Sequence, residues 1–102
     1  GAAIFLDPVS VSFGLVSGNT AAAGSVEVAV TGSGSCTVSE DSALISLSDD
    51  SVAAGDTLTV LLDGGKAGNS PSGDYSGYIT FTCGGDELRA PWFVRIDRKG
   101  KP

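Results

Sequence analysis

Apolar and polar residues alternate most regularly between residues 73 and 96. Every second residue of 75–83 reads Tyr, Gly, Ile, Phe and Cys, and every second residue of 88–96 reads Leu, Ala, Trp, Val and Ile. A period of two sends alternate side chains to opposite faces of a strand. A Gly-Gly-Asp segment at 84–86 separates the runs with residues that tolerate the positive φ angles of a tight turn. The pattern predicts a long β-hairpin at the centre of the core, with Trp92 on its buried face.

Shorter alternating stretches occur through the rest of the chain, separated by clusters of Gly, Ser, Asn, Asp and Pro. A short apolar segment, Ile4–Leu6, precedes them and ends at Asp7-Pro8. With the hairpin included, the predicted strands are 9–13, 25–31, 36–39, 43–48, 57–63, 75–83 and 87–96. No stretch has helical periodicity, and closely spaced turns between short strands are typical of a sandwich. We therefore predict an all-β fold, a seven-stranded antiparallel β-sandwich of immunoglobulin or fibronectin type III class.

The predicted sandwich covers residues 1–97 as a single domain, which suits a chain of 102 residues. The basic segment 98–102 is predicted to be a tail or a linker to another domain. Residues 14–24 and 64–73 are small and polar, so we expect loops there, and residues 49–55 are expected to form a turn.

The two cysteines, Cys36 and Cys83, are too few for a four-ligand zinc site, which leaves a disulfide or two buried thiols. In the usual order of such a sandwich, the third and sixth strands are antiparallel neighbours in one sheet. Cys36 begins the third strand and Cys83 ends the sixth, so the two should lie side by side. We predict a disulfide between them, which would imply an oxidising compartment and would differ from the inter-sheet bridge of antibody domains.

The charge of the chain is unevenly distributed. A net charge of −6 argues against nucleic acid and anionic membranes as partners. Residues 1–88 contain eleven acids and one base, whereas residues 89–102 contain five bases and one acid. The basic end is interpreted either as a solvated exit from the last strand or as a docking surface for an acidic neighbouring domain. No apolar run approaches the roughly 20 residues of a membrane-spanning helix, so we expect no membrane insertion.

The composition argues against catalysis by this domain. The chain has no His, which excludes a Ser-His-Asp arrangement. Its lysines fall in predicted loops and the tail, and its adjacent acids at 49–50 and 86–87 fall in turns, where Asp bonds to nearby backbone. We expect no enzyme activity, no cofactor and no metal ion. Asp49, Asp50 and Asp56 leave calcium binding at the 49–56 turn as an open alternative, although their spacing matches no EF-hand.

Two aromatic residues and two arginines are predicted to share the outer face of the hairpin. Tyr78 and Phe93 lie on the face opposite Trp92, and Arg89 and Arg95 have the same parity as Phe93. Three interpretations are open: an ordinary cross-strand pair, a contact with a neighbouring domain of the same polypeptide, or a site for a protein or carbohydrate ligand. These four residues are the candidate contact surface.

Two other residues of the hairpin carry structural predictions. Tyr75 follows Gly-Asp at the start of the first run, and we expect its hydroxyl to bond back to the preceding loop as a tyrosine corner. Pro91 has no N–H to donate, so its strand is expected to be an edge or to carry a bulge there.

Five short motifs occur in an order that resembles a known family. They are Val9–Gly14 (VSVSFG), Val26–Val30 (VEVAV), Val52–Asp56 (VAAGD), Gly73–Gly77 (GDYSG) and Leu88–Trp92 (LRAPW). The succession resembles the fibronectin type III-like domain that follows the catalytic domain in many secreted bacterial subtilisin-like serine proteases. The resemblance covers about residues 9–96. The chain departs from the family at residues 31–32, where an Asn is common, and in its cysteine pair.

The resemblance implies secretion and an accessory role, with the protease triad in another domain. It therefore implies that this domain stabilises or docks the catalytic domain, its neighbour in the same polypeptide. The alternative is a carbohydrate- or protein-binding immunoglobulin-like module of a bacterial secreted or surface protein, because such modules share much of this pattern.

Overall fold

The computed structural model describes residues 3–17 and 24–97, which form two packed β-sheets. The elements are β1 (Ala3–Asp7), β2 (Val11–Ser17), β3 (Ser25–Ser33), β4 (Ser35–Ser39), β5 (Ile45–Leu47), β6 (Ser51–Ala53), β7 (Thr57–Leu62), α1 (Gly64–Gly68), β8 (Gly73–Cys83) and β9 (Asp86–Asp97). One sheet has the order β1-β3-β7-β5 and the other the order β2-β9-β8-β4-β6. The predicted all-β sandwich is confirmed, but the count of seven strands is wrong, since the described residues contain nine.

The two additional strands lie where the sequence pattern predicted none. β1 contains the apolar segment before Asp7-Pro8 and pairs antiparallel with β3. The chain then crosses to the other sheet, where β2 runs parallel to β9, so the prediction of a wholly antiparallel sandwich is wrong at this edge. β6 lies within the predicted 49–55 turn and pairs with β4. These pairings are long-range, so local alternation alone does not reveal them.

Some predicted boundaries also change. The first predicted strand, 9–13, begins at Val11 and continues through Ser17, into the segment expected to be a loop. The rest of that loop, 18–23, and the predicted tail, 98–102, lie outside the described residues. The domain boundary at residue 97 therefore stays a prediction.

The predicted hairpin is confirmed along its whole length. β8 and β9 pair without interruption from Gly73 opposite Ile96 to Cys83 opposite Asp86. The core lies between the two sheets, and the hairpin places buried side chains in it at alternate positions, namely Ile79, Phe81, Cys83, Ala90, Trp92, Val94 and Ile96. β7 faces them from the other sheet with Leu58, Val60 and Leu62, also as predicted.

Two predicted local contacts are present. Cys36 and Cys83 form a disulfide with their Cα atoms 4.2 Å apart. The bond joins the neighbouring strands β4 and β8 of one sheet, as the strand order predicted. Tyr75 donates its hydroxyl to the carbonyl oxygen of Pro71 at 2.6 Å, which confirms the tyrosine corner.

A short helix, α1, occupies part of the predicted 64–73 loop. Its first turn is capped by Asp63, whose Oδ1 accepts the Lys66 N–H at 2.9 Å. Five residues are too few to display a 3.6-residue period, so the pattern did not predict this helix. Within residues 3–17 and 24–97, no helix is long and apolar enough to cross a membrane.

Pro91 lies inside β9, which is not an edge strand, because β8 and β2 flank it. At Pro91 itself, however, the side of β9 away from β8 is a free edge, as predicted for this position, because β2 joins β9 only from Trp92 onward. Tyr78, opposite Pro91, donates its N–H to Asp41 on the other side of β8. The two residues therefore form a non-hydrogen-bonded pair, and the proline nitrogen faces away from β8. A proline is tolerated here because no ladder bond is required of it.

The described chain enters and leaves the sandwich at opposite poles. Ala3 lies near Cys83 and Asp86, beside the β8–β9 turn. Asp97 ends the twelve-residue strand β9 at the other pole. A strand of that length spans about 40 Å at about 3.4 Å per residue.

Candidate functional site

The structure brings the four predicted contact residues together on the outer face of the five-stranded sheet. Tyr78 is 52% exposed and Phe93 is 48% exposed, so both are uncovered in the described chain. They are diagonal rather than direct neighbours, since Tyr78 lies opposite Pro91 and Phe93 lies opposite Ser76. Pro91 thus joins the two aromatic rings into one apolar surface.

A bulge in β2 extends this surface with a residue that the sequence analysis missed. The register between β2 and β9 shifts between Ser12 and Leu15, and Gly14 there has a φ of 68°. The extra residue turns Leu15 to the outer face, opposite Arg95, where it is 62% exposed. An isolated Gly inside an apolar run is the signal that would have indicated a bulge. Leu15, Phe93, Pro91 and Tyr78 form what we call the apolar strip.

The charges beside the apolar strip cancel. Arg95 forms an ion pair with Asp74 at 2.9 Å, and Arg89 forms one with Glu87 at 3.1 Å. Arg89 also places its guanidinium 6.0 Å from the centre of the Tyr78 ring, at the outer limit of a cation–π contact. The two arginines therefore do not make the face basic, as the sequence suggested for this end of the chain.

The neutral face contrasts with the rest of the molecule. The described residues contain twelve acidic side chains and three basic ones, a net charge of −9. Two of those three bases are Arg89 and Arg95. The apolar strip is therefore a locally neutral surface on a strongly acidic body.

A groove of about 540 Å³ lies at the Leu15 end of the apolar strip. Phe93 and Leu15 form its apolar walls, and Ser12, Ser76 and the Asp74–Arg95 pair supply polar groups. Gly14, Tyr75 and Val94 complete its lining.

Asp41 anchors the other end of the strip, and the sequence analysis did not single it out. Its Oδ2 accepts the Tyr78 N–H at 2.8 Å, and its Oδ1 accepts the Trp92 indole N–H at 2.9 Å. The carboxylate continues the hydrogen bonding of β8 beyond the end of β4. A β-carbon at Gly77 would overlap both carboxylate oxygens and approach the Trp92 nitrogen to 2.7 Å. Glycine is therefore required at position 77 because a larger side chain would not fit. Its φ is not positive, so the backbone conformation is not the reason.

We expect Gly77→Ala to lower the free energy of unfolding by about 1–3 kcal/mol, because the methyl group displaces Asp41 and leaves the buried indole N–H unsatisfied. Asp41→Ala is expected to cost a similar amount. Because both changes break one contact, the double variant should lose clearly less than the sum of the single losses. Urea unfolding of the four proteins measures the coupling. Additive losses would show that Gly77 and Asp41 act independently.

The acidic turn at 49–56 shows no arrangement for calcium. Asp49 accepts a hydrogen bond from the Ser48 hydroxyl at 3.0 Å, and Asp56 accepts the Ala53 N–H at 2.7 Å. In the part of the chain that the structure describes, no group of three or more His, Cys, Asp or Glu side chains is placed to hold a metal ion. The Asp56 bond lies within the turn, and the Asp49 bond joins the hydroxyl of the residue before the turn.

The fold was compared with known proteins. No protein-family model matches the chain, and no curated protein matches its sequence. Solved structures do match. A Porphyromonas gingivalis protein of unknown function is similar with a TM-score of 0.70 at 12% identity, over 95% of this chain and 49% of that one. A Bacteroides ovatus GH5 xyloglucanase, in complex with a XXXG heptasaccharide, has a TM-score of 0.66 at 6% identity, over 92% of this chain and 19% of that one.

A third match identifies the class of fold. The Ig-like domain (714–804) of human obscurin-like protein 1 has a TM-score of 0.51 at 14% identity, over 100% of this chain and 92% of that one. The chain thus has an immunoglobulin-like β-sandwich fold. It spans less than half the length of the two bacterial proteins. Nothing in these matches concerns subtilisin-like proteases, so that association stays a prediction.

Proposed function

We propose that this chain is a non-catalytic immunoglobulin-like module of a secreted bacterial protein, and that it works by contact with a neighbouring domain of the same polypeptide. The observation that carries the proposal is the apolar strip on a neutral face of an acidic body. Acidic surfaces repel a neighbour of like charge. A neutral apolar face avoids that repulsion, and burial of its apolar surface stabilises the contact. The outer face of the five-stranded sheet is therefore the docking face.

Three further observations support the proposal. Ala3 and Asp97 lie at opposite poles, which suits a module placed in line between other domains. The bacterial structures of similar fold contain it as a fraction of a longer chain. The Cys36–Cys83 disulfide is of the kind that persists in oxidising compartments, which supports secretion. The resemblance to accessory domains of subtilisin-like proteases makes a protease catalytic domain our proposed neighbour.

Phe93→Glu tests the docking face. In the isolated chain we expect a change in unfolding free energy of about 0.5 kcal/mol or less, because the side chain is half exposed. In a longer polypeptide that contains the neighbouring domain, we expect the same change to lower that domain's midpoint of thermal unfolding by several degrees. This shift corresponds to a lost contact free energy on the order of 1 kcal/mol or more. Leu61→Glu, on the outer face of the other sheet and 39% exposed, is the matched control.

If the midpoint of thermal unfolding of the neighbouring domain is unchanged in the Phe93→Glu polypeptide, docking through this face is contradicted.

The groove beside Phe93 favours a second candidate, a carbohydrate-binding module, because an aromatic wall with Asp, Ser and Arg beside it suits a sugar ring. Glycan binding by the isolated chain that is lost in Phe93→Ala would support that candidate instead. Hydrolysis of casein or of an ester by the isolated chain, if it survives repurification, would contradict a non-catalytic role.

A further inference from the structure

In the part of the chain that the structure describes, three of the four edge strands carry a feature that blocks the addition of another strand. β5 and β6 have only three residues each, and β2 is interrupted by its register shift. At β6, the Asp56 carboxylate also accepts a hydrogen bond from the Ala53 N–H, so this donor is not free to pair with another strand. Short edge strands and bulges prevent pairing between the sheets of different molecules.

The fourth edge, β1, has no such feature. Its five residues, Ala-Ile-Phe-Leu-Asp, pair with β3 in unbroken register and include neither Pro nor Lys. Its only charge is at its end, on Asp7, and its central residue, Phe5, is 66% exposed. A regular, apolar edge strand is a template for pairing with a strand of another chain.

Two apolar hollows lie beside this edge, one toward each end of β1. Both include Ile4, Phe5 and Leu88 in their walls. The first, of about 260 Å³, is completed by Leu6, Val9 and Arg89, and the second, of about 220 Å³, by Ala3, Cys83 and Asp86. Within the described residues, β9 has a partner only on its β8 side before Trp92, which leaves the other side of the sandwich open at the hollows.

A free edge next to two side-chain pockets is the arrangement by which proteins bind a peptide as an added strand. The backbone of the edge supplies hydrogen bonds, and the pockets receive alternate side chains, which are about 7 Å apart along a strand. Phe5, between the hollows, and Val9, 71% exposed, would both be covered by such a segment.

The charges around the hollows identify the partner's chemistry. Asp7 ends the edge strand and Asp86 lines the second hollow, whereas the nearby base, Arg89, is neutralised by its ion pair with Glu87. We infer that β1 binds, as an added strand, an extended segment of another protein with apolar residues at alternate positions and basic residues on both flanks. A second copy of this chain is a poorer fit, because it would bring the same acids to the contact.

A blocked synthetic peptide, Lys-Val-Thr-Val-Thr-Val-Lys, is the probe. Titrated at up to about millimolar concentration into the isotopically labelled chain, it should shift the amide resonances of β1 and of Leu88 in NMR spectra. Phe5→Lys should weaken binding about tenfold. A lysine on an edge strand disfavours pairing with another strand, and its charge repels the lysines of the peptide. Leu61→Lys places the same charge on another exposed apolar side chain of the same sheet, on β7, which is separated from β1 by β3, and should leave binding unchanged.

Two modified peptides separate strand addition from simple apolar contact. N-methylation of every valine and threonine removes the hydrogen-bond donors of both strand edges and should abolish binding, and replacement of both lysines with glutamates should weaken it several-fold at low salt. Absence of any shift in β1, or equal binding of the N-methylated peptide, would overturn the inference. So would sedimentation showing that the chain dimerises through β1, since the occupant would then be a second copy. None of these results depends on the docking face around Phe93.

Discussion

Trp92→Ala is expected to lower the free energy of unfolding by about 3–5 kcal/mol, the range for emptying a buried aromatic site. Trp92 is 1% exposed and is the largest fully buried side chain of the described core. It lies opposite Gly77 in β8 and opposite Val11 in β2, so the cavity would lie where both neighbouring strands meet β9. Its loss also leaves Asp41 without one of its two hydrogen bonds. Domains of this size have a total stability of about 5–15 kcal/mol, so the variant should be close to unfolding.

The neighbouring residue provides the control. Phe93 is also aromatic and lies next to Trp92, but it points to the outer face and is half exposed. Phe93→Ala should therefore cost less than about 1 kcal/mol. Since Trp92 is the chain's only tryptophan, unfolding should be followed in urea by far-UV circular dichroism rather than by fluorescence. A loss below about 1 kcal/mol in Trp92→Ala, with the fold intact, would mean that the indole does not support the core.

Removal of the Cys36–Cys83 disulfide is expected to have the second largest effect, a loss of about 4 kcal/mol. The two cysteines are 47 residues apart in sequence. In the chain-entropy model, a crosslink that closes a loop of this length restricts the unfolded chain by about that amount. Both side chains are buried, at 4% and 2% exposed, so the effect should appear on unfolding and not as a change in the folded surface.

Comparison of the oxidised chain, the reduced chain and the double variant Cys36→Ala/Cys83→Ala measures this effect. Reduction alone keeps both sulfur atoms in the core, so the difference between the last two proteins gives the packing cost separately from the crosslink. The number of free thiols in the denatured, unreduced chain is a direct check. Two titratable thiols would show that no disulfide forms and would remove the main support for an oxidising compartment.

Features that depend on neighbouring residues in sequence were predictable. Alternation assigned Ile79, Phe81 and Trp92 to the core and Tyr78 and Phe93 to the outer face, because a strand turns successive side chains to opposite sides. The Gly-Gly-Asp turn and the Tyr75 corner are also local. Prediction of the disulfide needed the order of the strands as well as these local patterns, because the usual order in a sandwich makes Cys36 and Cys83 neighbours.

The candidate site was predictable only in part. Four of its members, Tyr78, Phe93, Arg89 and Arg95, followed from strand parity. Leu15 did not, because a bulge reverses the parity of every residue after it and depends on how β2 meets β9. The neutrality of the face was also not predictable, since Arg95 meets Asp74 only through the register of β8 with β9.

The amino-acid sequence by itself therefore determined the class of fold, the hairpin, the buried face and the disulfide, because periodicity and turn residues act over a few positions. The tertiary structure alone decided that β1 and β2 join different sheets, that β6 exists, and that Asp41 bonds to both Tyr78 and Trp92. Each of these depends on which distant strand supplies a hydrogen-bond partner, and an isolated strand pattern is compatible with many partners. The open side of the sandwich at Phe5 has the same origin, since it exists only because β2 joins β9 after Pro91.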